Sequence, residues 1–110
     1  MANKYLRKNV IPSAATETEF YVVPTANTAI LRSLRVTNAN ATRTTITISQ
    51  YDAGSATEHF LLKSYPLPPN TTFDVFNGVP CVLLEGDELA VESLLSDCHF
   101  YLSYVEVDRN

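Results

Sequence analysis

The sequence predicts an all-β protein: an antiparallel β-sandwich or jelly-roll-like domain of about eight strands. From Glu17 onward, short segments of alternating apolar and polar residues recur roughly every 8–12 residues. Each segment ends in Pro, Gly, Asn or Asp, and β-branched and aromatic residues are concentrated within the segments. No segment has a convincing helical period, so the strands must pack against one another to form the core.

Residues 1–16 are predicted to form an extended N-terminal arm, and residues 17–110 to form the sandwich. The arm carries three of the eight basic residues of the chain, namely Lys4, Arg7 and Lys8. Pro12 excludes a regular central strand at its position because proline has no backbone N–H to donate.

The first half of the domain contains three predicted strands. Residues 17–23 are rich in β-forming residues and end at Pro24. Residues 29–38 and 44–51 are expected to form a hairpin, because the short polar residues between them tolerate turn dihedrals. In the second of these strands Ile46 and Ile48 alternate with threonines, which places the isoleucines on the core face.

The second half contains five more predicted strands, at residues 58–65, 72–76, 81–84, 89–93 and 99–107. The proline-rich segment 66–70 is expected to break pairing and to carry the chain from one sheet to the other. The alternation of apolar residues predicts ten core positions, which are Leu34, Val36, Ile46, Ile48, Phe60, Leu62, Leu89, Val91, Phe100 and Leu102.

Composition excludes several classes of protein. Hydrophobic residues make up 45% of the chain and charged residues 18%, which is typical of one globular domain. No apolar run approaches the ~20 residues of a membrane span. The basic N-terminus is not followed by an apolar segment, so no secretory signal is predicted. The net charge of −4 makes a nucleic-acid partner unlikely outside the arm.

Few residues could carry catalysis. The candidates for a nucleophile and its base are Cys81, Cys98, His59 and His99. Cys98 and His99 are adjacent on a strand, so their side chains point to opposite faces and cannot form a pair. No motif typical of a cysteine enzyme surrounds either thiol. We therefore predict no enzymatic activity, no cofactor and two free thiols.

Two groups of carboxylates are further candidates, one for a metal site and one for a catalytic site. Glu85, Asp87 and Glu88 share one turn and could supply oxygen ligands to a calcium ion, but the spacing is not that of an EF-hand. Glu17 and Glu19 share one strand face, which is more typical of a charged edge than of a glycosidase pair. We predict no metal site. The tyrosines and phenylalanines lie mostly at strand positions that a core requires, rather than on a stacking surface.

The order of these segments resembles a family of small β-sandwich virion proteins of tailed bacteriophages. The similarity covers about nine-tenths of the chain and lies in the following stretches: Phe20 to Thr28, Leu34 to Asn40 with the threonine-rich strand Thr44 to Ser49, Pro66 to Thr72, Leu83 to Leu89, and Tyr104 to Val107. Related patterns recur in capsid-decorating, neck and tail proteins. The resemblance implies a structural virion component without catalytic residues, made in the cytoplasm of the host bacterium.

The expected partners are other virion proteins, such as major capsid, neck or tail subunits, together with further copies of this chain. Capsid decoration, as a cement protein, is the favoured function. A neck, tail or baseplate accessory protein and a receptor- or glycan-binding fibre module are the alternatives. The arm is the predicted docking element, because an extended peptide can add to a neighbour's sheet edge. Its predicted partner-binding residues are Lys4, Tyr5, Leu6, Arg7, Lys8, Val10 and Ile11.

Overall fold

A computed structural model describes residues 3–108 and confirms the all-β prediction. Nine strands and no helix are found in this range. The strands are β1 (Asn3–Val10), β2 (Thr18–Val22), β3 (Asn27–Asn38), β4 (Thr44–Asp52), β5 (Thr57–Leu67), β6 (Thr71–Asp74), β7 (Cys81–Leu83), β8 (Glu88–Ser93) and β9 (Cys98–Asp108). Over the same range, no helix is available that could cross a membrane.

The strands form two antiparallel sheets. Sheet A has the order β1-β9-β3-β6, with β7 also pairing with β3, and sheet B has the order β2-β8-β4-β5. The pairs are nested: β1 pairs with β9, β2 with β8, β3 with β6 and β7, and β4 with β5. The chain is thus one long hairpin rolled into two layers, which is the topology of a jelly roll. Because β6 and β7 share one position beside β3, nine strands occupy the eight positions of this fold.

The predicted hairpin of residues 29–38 and 44–51 was wrong. β3 lies in sheet A beside β9, whereas β4 lies in sheet B between β8 and β5. The short polar turn between them does reverse the chain, but it carries the chain from one sheet to the other. The turn residues alone could not show which strands pair.

The predicted arm differs most from what the structure shows. The eight predicted strands correspond to β2 through β9, and the ninth strand, β1, comes from residues 3–10 of the arm. β1 pairs along its whole length with β9, from Asn3 opposite Val107 to Val10 opposite Phe100. Pairing there satisfies backbone groups of β9 that would otherwise form an open edge. Residues 3–10 of the arm are therefore an edge strand of sheet A, and residues 11–16 connect it to β2. Residues 1–2 and 109–110, at the ends of the two predicted domains, lie outside the described range.

The core lies between the two sheets and contains most of the predicted residues. Eight of the ten predicted core residues are at most 1% exposed: Leu34, Val36, Ile46, Ile48, Leu89, Val91, Phe100 and Leu102. Leu62 is half-buried and packs against this cluster. Further buried side chains come from β2, β3 and β7, including Tyr21, Leu31 and Leu83.

Phe60 was predicted to lie in the core, and this prediction was wrong, because a β-bulge interrupts the alternation of β5. Ile48 lies opposite Leu62, but the next residue, Ser49, lies opposite Phe60, so Leu61 is an extra residue without a partner. Since cross-strand partners share a face, the bulge turns Phe60 to the outer face, where it is 49% exposed.

The crossover between the sheets was predicted at residues 66–70 and begins slightly later. β5 continues through Leu67, and Pro66 lies opposite Thr45 in the ladder. Sheet B tolerates this proline because β5 is its edge strand. The chain then passes from sheet B to β6 in sheet A, as the proline-rich segment predicted.

A buried asparagine fixes this crossover. The side chain of Asn38 is fully buried, and its Nδ2 donates to the carbonyl oxygens of Thr42 at 3.0 Å, Leu67 at 3.2 Å and Pro68 at 3.1 Å. Its Oδ1 accepts a hydrogen bond from the backbone N–H of Asn40 at 3.0 Å. One side chain thereby ties the β3–β4 turn to the end of β5.

The bulge leads to a prediction about stability. Leu102→Ala should lower the free energy of unfolding by about 2–5 kcal/mol, because it leaves a cavity in the core. Phe60→Ala should lower it by less than about 1 kcal/mol, because its ring is already half in water. Urea denaturation of both variants measures the two values. An equal loss for both would contradict the placement of Phe60 on the outer face.

A second prediction concerns Asn38. Asn38→Ala should cost about 1–3 kcal/mol of unfolding free energy, because it removes buried hydrogen bonds and leaves their backbone partners unsatisfied. The control is Asn9→Ala, at an exposed position of β1, which should stay within about 0.5 kcal/mol of the parent. Urea denaturation again provides the measurement, and similar values for the two variants would show that the Asn38 network adds nothing.

Candidate functional site

The structure does not assemble the cysteines and histidines into a catalytic pair. Cys98 is fully buried, Cys81 is half-buried, and both are free thiols. Burial raises the pKa of both thiols, which disfavours the nucleophilic thiolate. His99 lies on the surface with its Nε2 atom 2.8 Å from Asp97 Oδ1, and His59 is exposed on β5. Within residues 3–108, no hydrogen bond joins a cysteine to a histidine.

The structure does not bring the carboxylates of the acidic turn together on a shared partner. The carboxylate of Asp87 is buried and accepts a hydrogen bond from the backbone N–H of Ala53 at 3.0 Å. Glu85 accepts one from the backbone N–H of Ala26 at 2.8 Å, while Glu88 belongs to the outer face of sheet B. The three side chains have different partners, and no group of metal-ligating residues is found in the described part of the chain. Asp87 holds the β4–β5 turn against the β7–β8 turn.

Strand β1 is the most exposed strand of the fold. It lies at the end of sheet A, no strand within residues 3–108 pairs with its outer edge, and every residue from Asn3 to Asn9 is exposed. Tyr5 is 77% exposed, and Ile11, just beyond the strand, is 55% exposed. Of the seven predicted docking residues, only Val10 is half-buried and packs against the core cluster.

The inner side of β1 is held by an aromatic cluster. Lys8 Nζ donates to the carbonyl oxygen of Phe20 at 3.4 Å and lies 5.9 Å from the centre of the Tyr21 ring. The rings of Tyr21 and Tyr104 are 4.5 Å apart, and the Tyr21 hydroxyl donates to Glu106 Oε2 at 2.6 Å. Burial, reinforced by this hydrogen bond, raises the pKa of Tyr21 well above its usual range. Lys8 therefore links β1 to sheet B, although the residue remains exposed.

The outer face of sheet A has two shallow hollows on either side of Tyr101. The hollow nearer the start of β1 has a volume of about 440 Å³ and is lined by Tyr5, Arg7, Arg32, Tyr101 and Ser103, among others. The second, of about 380 Å³, is lined by Ile11, Arg35, Thr37, His99 and Tyr101, among others. The Arg35 guanidinium lies 5.1 Å from the centre of the Tyr101 ring.

Arg32 and Arg35 were not among the docking residues that the sequence predicted. They are far from the arm in sequence and come beside it only because β9 lies between β1 and β3. The signal available was the alternation in β3, where Arg35 and Thr37 alternate with the buried Leu34 and Val36. That pattern placed Arg35 and Thr37 on an outer face of the sandwich but could not show which strand lies next to β3.

Comparisons with known proteins show similarity in structure but not in sequence. No family model matches the chain, and no curated protein matches it. A protein of Bacillus endospore appendages, described as disulfide-linked pili, superposes with a TM-score of 0.62 and 9% identity over 99% of this chain and 88% of its own. A protein of the T13 particle of the icosahedral virus IBDV superposes with a TM-score of 0.57 and 6% identity, over 96% of this chain and 31% of its own.

A third structure is less similar. It is a pentameric capsid protein isolated from metagenomic phage sequences, with a TM-score of 0.44 and 15% identity over 91% of this chain and 59% of its own. The first two similarities, at such low sequence identity, show a shared two-sheet fold. They leave the function to be argued from the surfaces of this chain.

The Tyr21 hydrogen bond predicts a pH dependence of stability. The folded state holds this phenol neutral, whereas the unfolded chain ionises it above a pH of about 10. The contribution of the neutral Tyr21 phenol to the free energy of unfolding is therefore present below this pH and is lost as the pH rises further. Urea denaturation between pH about 9 and about 11 should show a steeper loss for the parent than for Tyr21→Phe. Equal slopes would contradict the role of this phenol.

Proposed function

We propose that this chain is a non-enzymatic structural subunit of a tailed-phage virion, a decoration or cement protein that binds neighbouring subunits through β1 and the sheet edges. The observation that carries the proposal is the exposure of β1. A strand whose residues from Asn3 to Asn9 are all exposed, and in which only Val10 packs against the core cluster, adds little to its own core. It does present a row of backbone donors and acceptors to which another chain can add a strand.

The side chains around this edge suit a protein partner. Tyr5 and Ile11 expose most of their apolar surface, and Leu6 is 37% exposed. Burying such side chains against a neighbour contributes about 25 cal/mol per Å² of apolar surface removed from water. Tyrosine is also enriched at interfaces because its ring is apolar and its hydroxyl can still find a partner.

Charge narrows the choice of partner. Lys8 is engaged within the chain, which leaves Lys4 and Arg7 as the cations that β1 offers to a neighbour. Two copies of β1 paired with each other would bring like charges together, which disfavours that contact. An acidic surface on a different segment is therefore the complementary partner.

Three further observations support a virion role. The sequence resembles small virion proteins of tailed phages over most of its length. The structural neighbours are parts of assembled particles, namely a pilus-like appendage and an icosahedral virus. The jelly roll recurs in viral capsid domains, although it also occurs in lectins and enzymes. Together with the exposed edge strand, these favour a subunit that works by assembly.

The alternative functions fit the exposed side chains of this chain to different degrees. A neck, tail or baseplate position would use the same edge strand, so localisation on the particle distinguishes it from capsid decoration. A receptor- or glycan-binding fibre module would be favoured by aromatic side chains clustered on end loops. In residues 3–108 the exposed aromatic side chains, Tyr5, Tyr51, Phe60 and Tyr65, all lie on strands.

The virion role predicts that changes in β1 reduce incorporation. In phage particles where the variant replaces the natural chain, Tyr5→Ser/Leu6→Ser should lower the copies per particle by about tenfold. The reason is that loss of the central anchors of an interface costs at least about 1.4 kcal/mol, which is a tenfold loss of affinity. Quantitative mass spectrometry of purified particles measures this. Labelling with an antibody, viewed by electron microscopy, places the chain on head, neck or tail.

The control removes the same kind of surface elsewhere. Leu84→Ser/Leu94→Ser changes two leucines that are 60% and 55% exposed and lie outside β1, and it should leave the copy number unchanged. Circular dichroism of both proteins checks that they fold. Absence of the parent chain from purified particles would refute the virion role. Full incorporation of the β1 variant would refute β1 as the anchor.

A further inference from the structure

The two outer faces of the sandwich carry opposite charge. Arginines lie on the outer face of sheet A, and glutamates on that of sheet B, in a chain whose net charge is only −4. The pairing registers define both faces, because cross-strand partners share a face and the buried residues mark the other one.

The outer face of sheet A is the positive one. Arg35 lies opposite Tyr101 on β9, and Arg7 lies opposite Ser103, next to Tyr101 on the same face. Arg32 lies at a register irregularity of β3 and lines the same hollow as Arg7. One carboxylate, Asp74, lies opposite Arg35 at the far edge. No ion pair links any of these arginines to a carboxylate within residues 3–108.

The outer face of sheet B is the negative one. Its carboxylates come from three strands and the residue before β2: Glu17, Glu19, Glu58, Glu88 and Glu92. Lys63 lies on β5 of the same sheet, and its ammonium lies 4.9 Å from the centre of the Phe60 ring. As on the positive face, the described residues form no ion pair to these carboxylates.

The glutamates surround a hollow that suits a guanidinium group. The hollow has a volume of about 340 Å³ and is lined by Glu17, Ser49, Tyr51, Glu58, Glu88 and Ala90. Glu58 accepts a hydrogen bond from Ser49 Oγ at 2.9 Å, which orients its carboxylate. Burial, and the negative charge of Glu19 beside it, raise the pKa of Glu88. An arriving cation would relieve this repulsion, and an aromatic ring beside the hollow adds a cation–π contact.

We propose that copies of this chain stack face to face, with the arginine face of sheet A in one copy docked on the glutamate face of sheet B in the next. Arg32 and Arg35 supply the guanidinium groups, and the hollow bounded by Glu58 and Glu88 receives one of them. Guanidinium groups suit this role because they bind carboxylates in a bidentate manner and stack on aromatic rings.

The geometry of the contact sets the form of the assembly. Each copy would use two different faces, so the contact is heterologous and builds either a closed ring or an open stack. The chain measures 47 × 27 × 22 Å, so a face that contains the long axis is larger than the about 800 Å² per partner of a standard interface. The stacking is independent of the β1 edge, which leaves β1 open to another virion protein.

Charge reversal with mixing tests this proposal. Arg32→Glu/Arg35→Glu makes both outer faces negative. Glu19→Lys/Glu58→Lys/Glu88→Lys makes both positive, because on sheet B three new lysines and Lys63 then outnumber Glu17 and Glu92. Each variant alone should associate at least about tenfold more weakly than the parent, because like charges then face each other. An equimolar mixture of the two should recover association, because every contact in it again joins opposite charges.

Analytical ultracentrifugation provides the measurement. The parent should associate at about 0.01 M salt and dissociate at about 1 M, where the Debye length falls from about 30 Å to about 3 Å. Arg43→Glu, a charge reversal in the β3–β4 turn, is the control and should associate like the parent. Should Arg32→Glu/Arg35→Glu fail to fold by circular dichroism, Arg32→Gln/Arg35→Gln replaces it and should also weaken association.

Three results would overturn the proposal: a parent that stays monomeric at low salt, reversed variants that associate like the parent, or a mixture that does not recover association. None of these variants alters β1, so the incorporation experiment on phage particles is decided separately.

Discussion

The fold depends on a polar contact within an otherwise apolar interior, the side-chain amide of Asn38. Apolar packing between the sheets is strong but non-directional, so it does not by itself determine where the chain leaves one sheet for the other. Asn38 supplies that direction, because its buried amide must be hydrogen-bonded and its partners are backbone atoms of the β3–β4 turn and the end of β5. A shifted crossover would leave the buried amide of Asn38 without these partners.

Asp87 has the corresponding role at the other end of the sandwich, where its carboxylate joins the β4–β5 turn to the turn before β8. These two side chains tie both ends of the sandwich around one core. The edge strand β1 and the outer faces of the two sheets lie outside these contacts, so their side chains are available to bind partners. β1 lies at the open edge of sheet A, and the two outer faces carry charges that the fold itself does not pair.

Much of the fold could be predicted from the sequence because the alternation of apolar residues is local. It located eight strands and eight of ten core positions. Phe60 was placed on the wrong face because Leu61 is an extra residue in β5. Such a residue reverses the facing of the side chains on one side of it relative to those on the other, and the alternation of apolar and polar residues in the sequence does not show it. The pairing of β1 was missed because its partner lies at the far end of the chain. The charged faces were missed for a similar reason: Arg7 and Arg35 become neighbours only once the strand order is known.

The pairing of β1 with β9 has a consequence for the order of events during synthesis. β1 is the first strand of the described chain to leave the ribosome and β9 is the last, so β1 must wait for its partner while all the other strands are made. At about 5–20 residues per second this interval lasts on the order of several seconds. Throughout that time β3 can pair with β6 and β7, but β9, which lies between β1 and β3, is absent. The strand that we propose as the anchor is therefore the last to join its own sheet, and until then its backbone groups have no strand of sheet A to pair with.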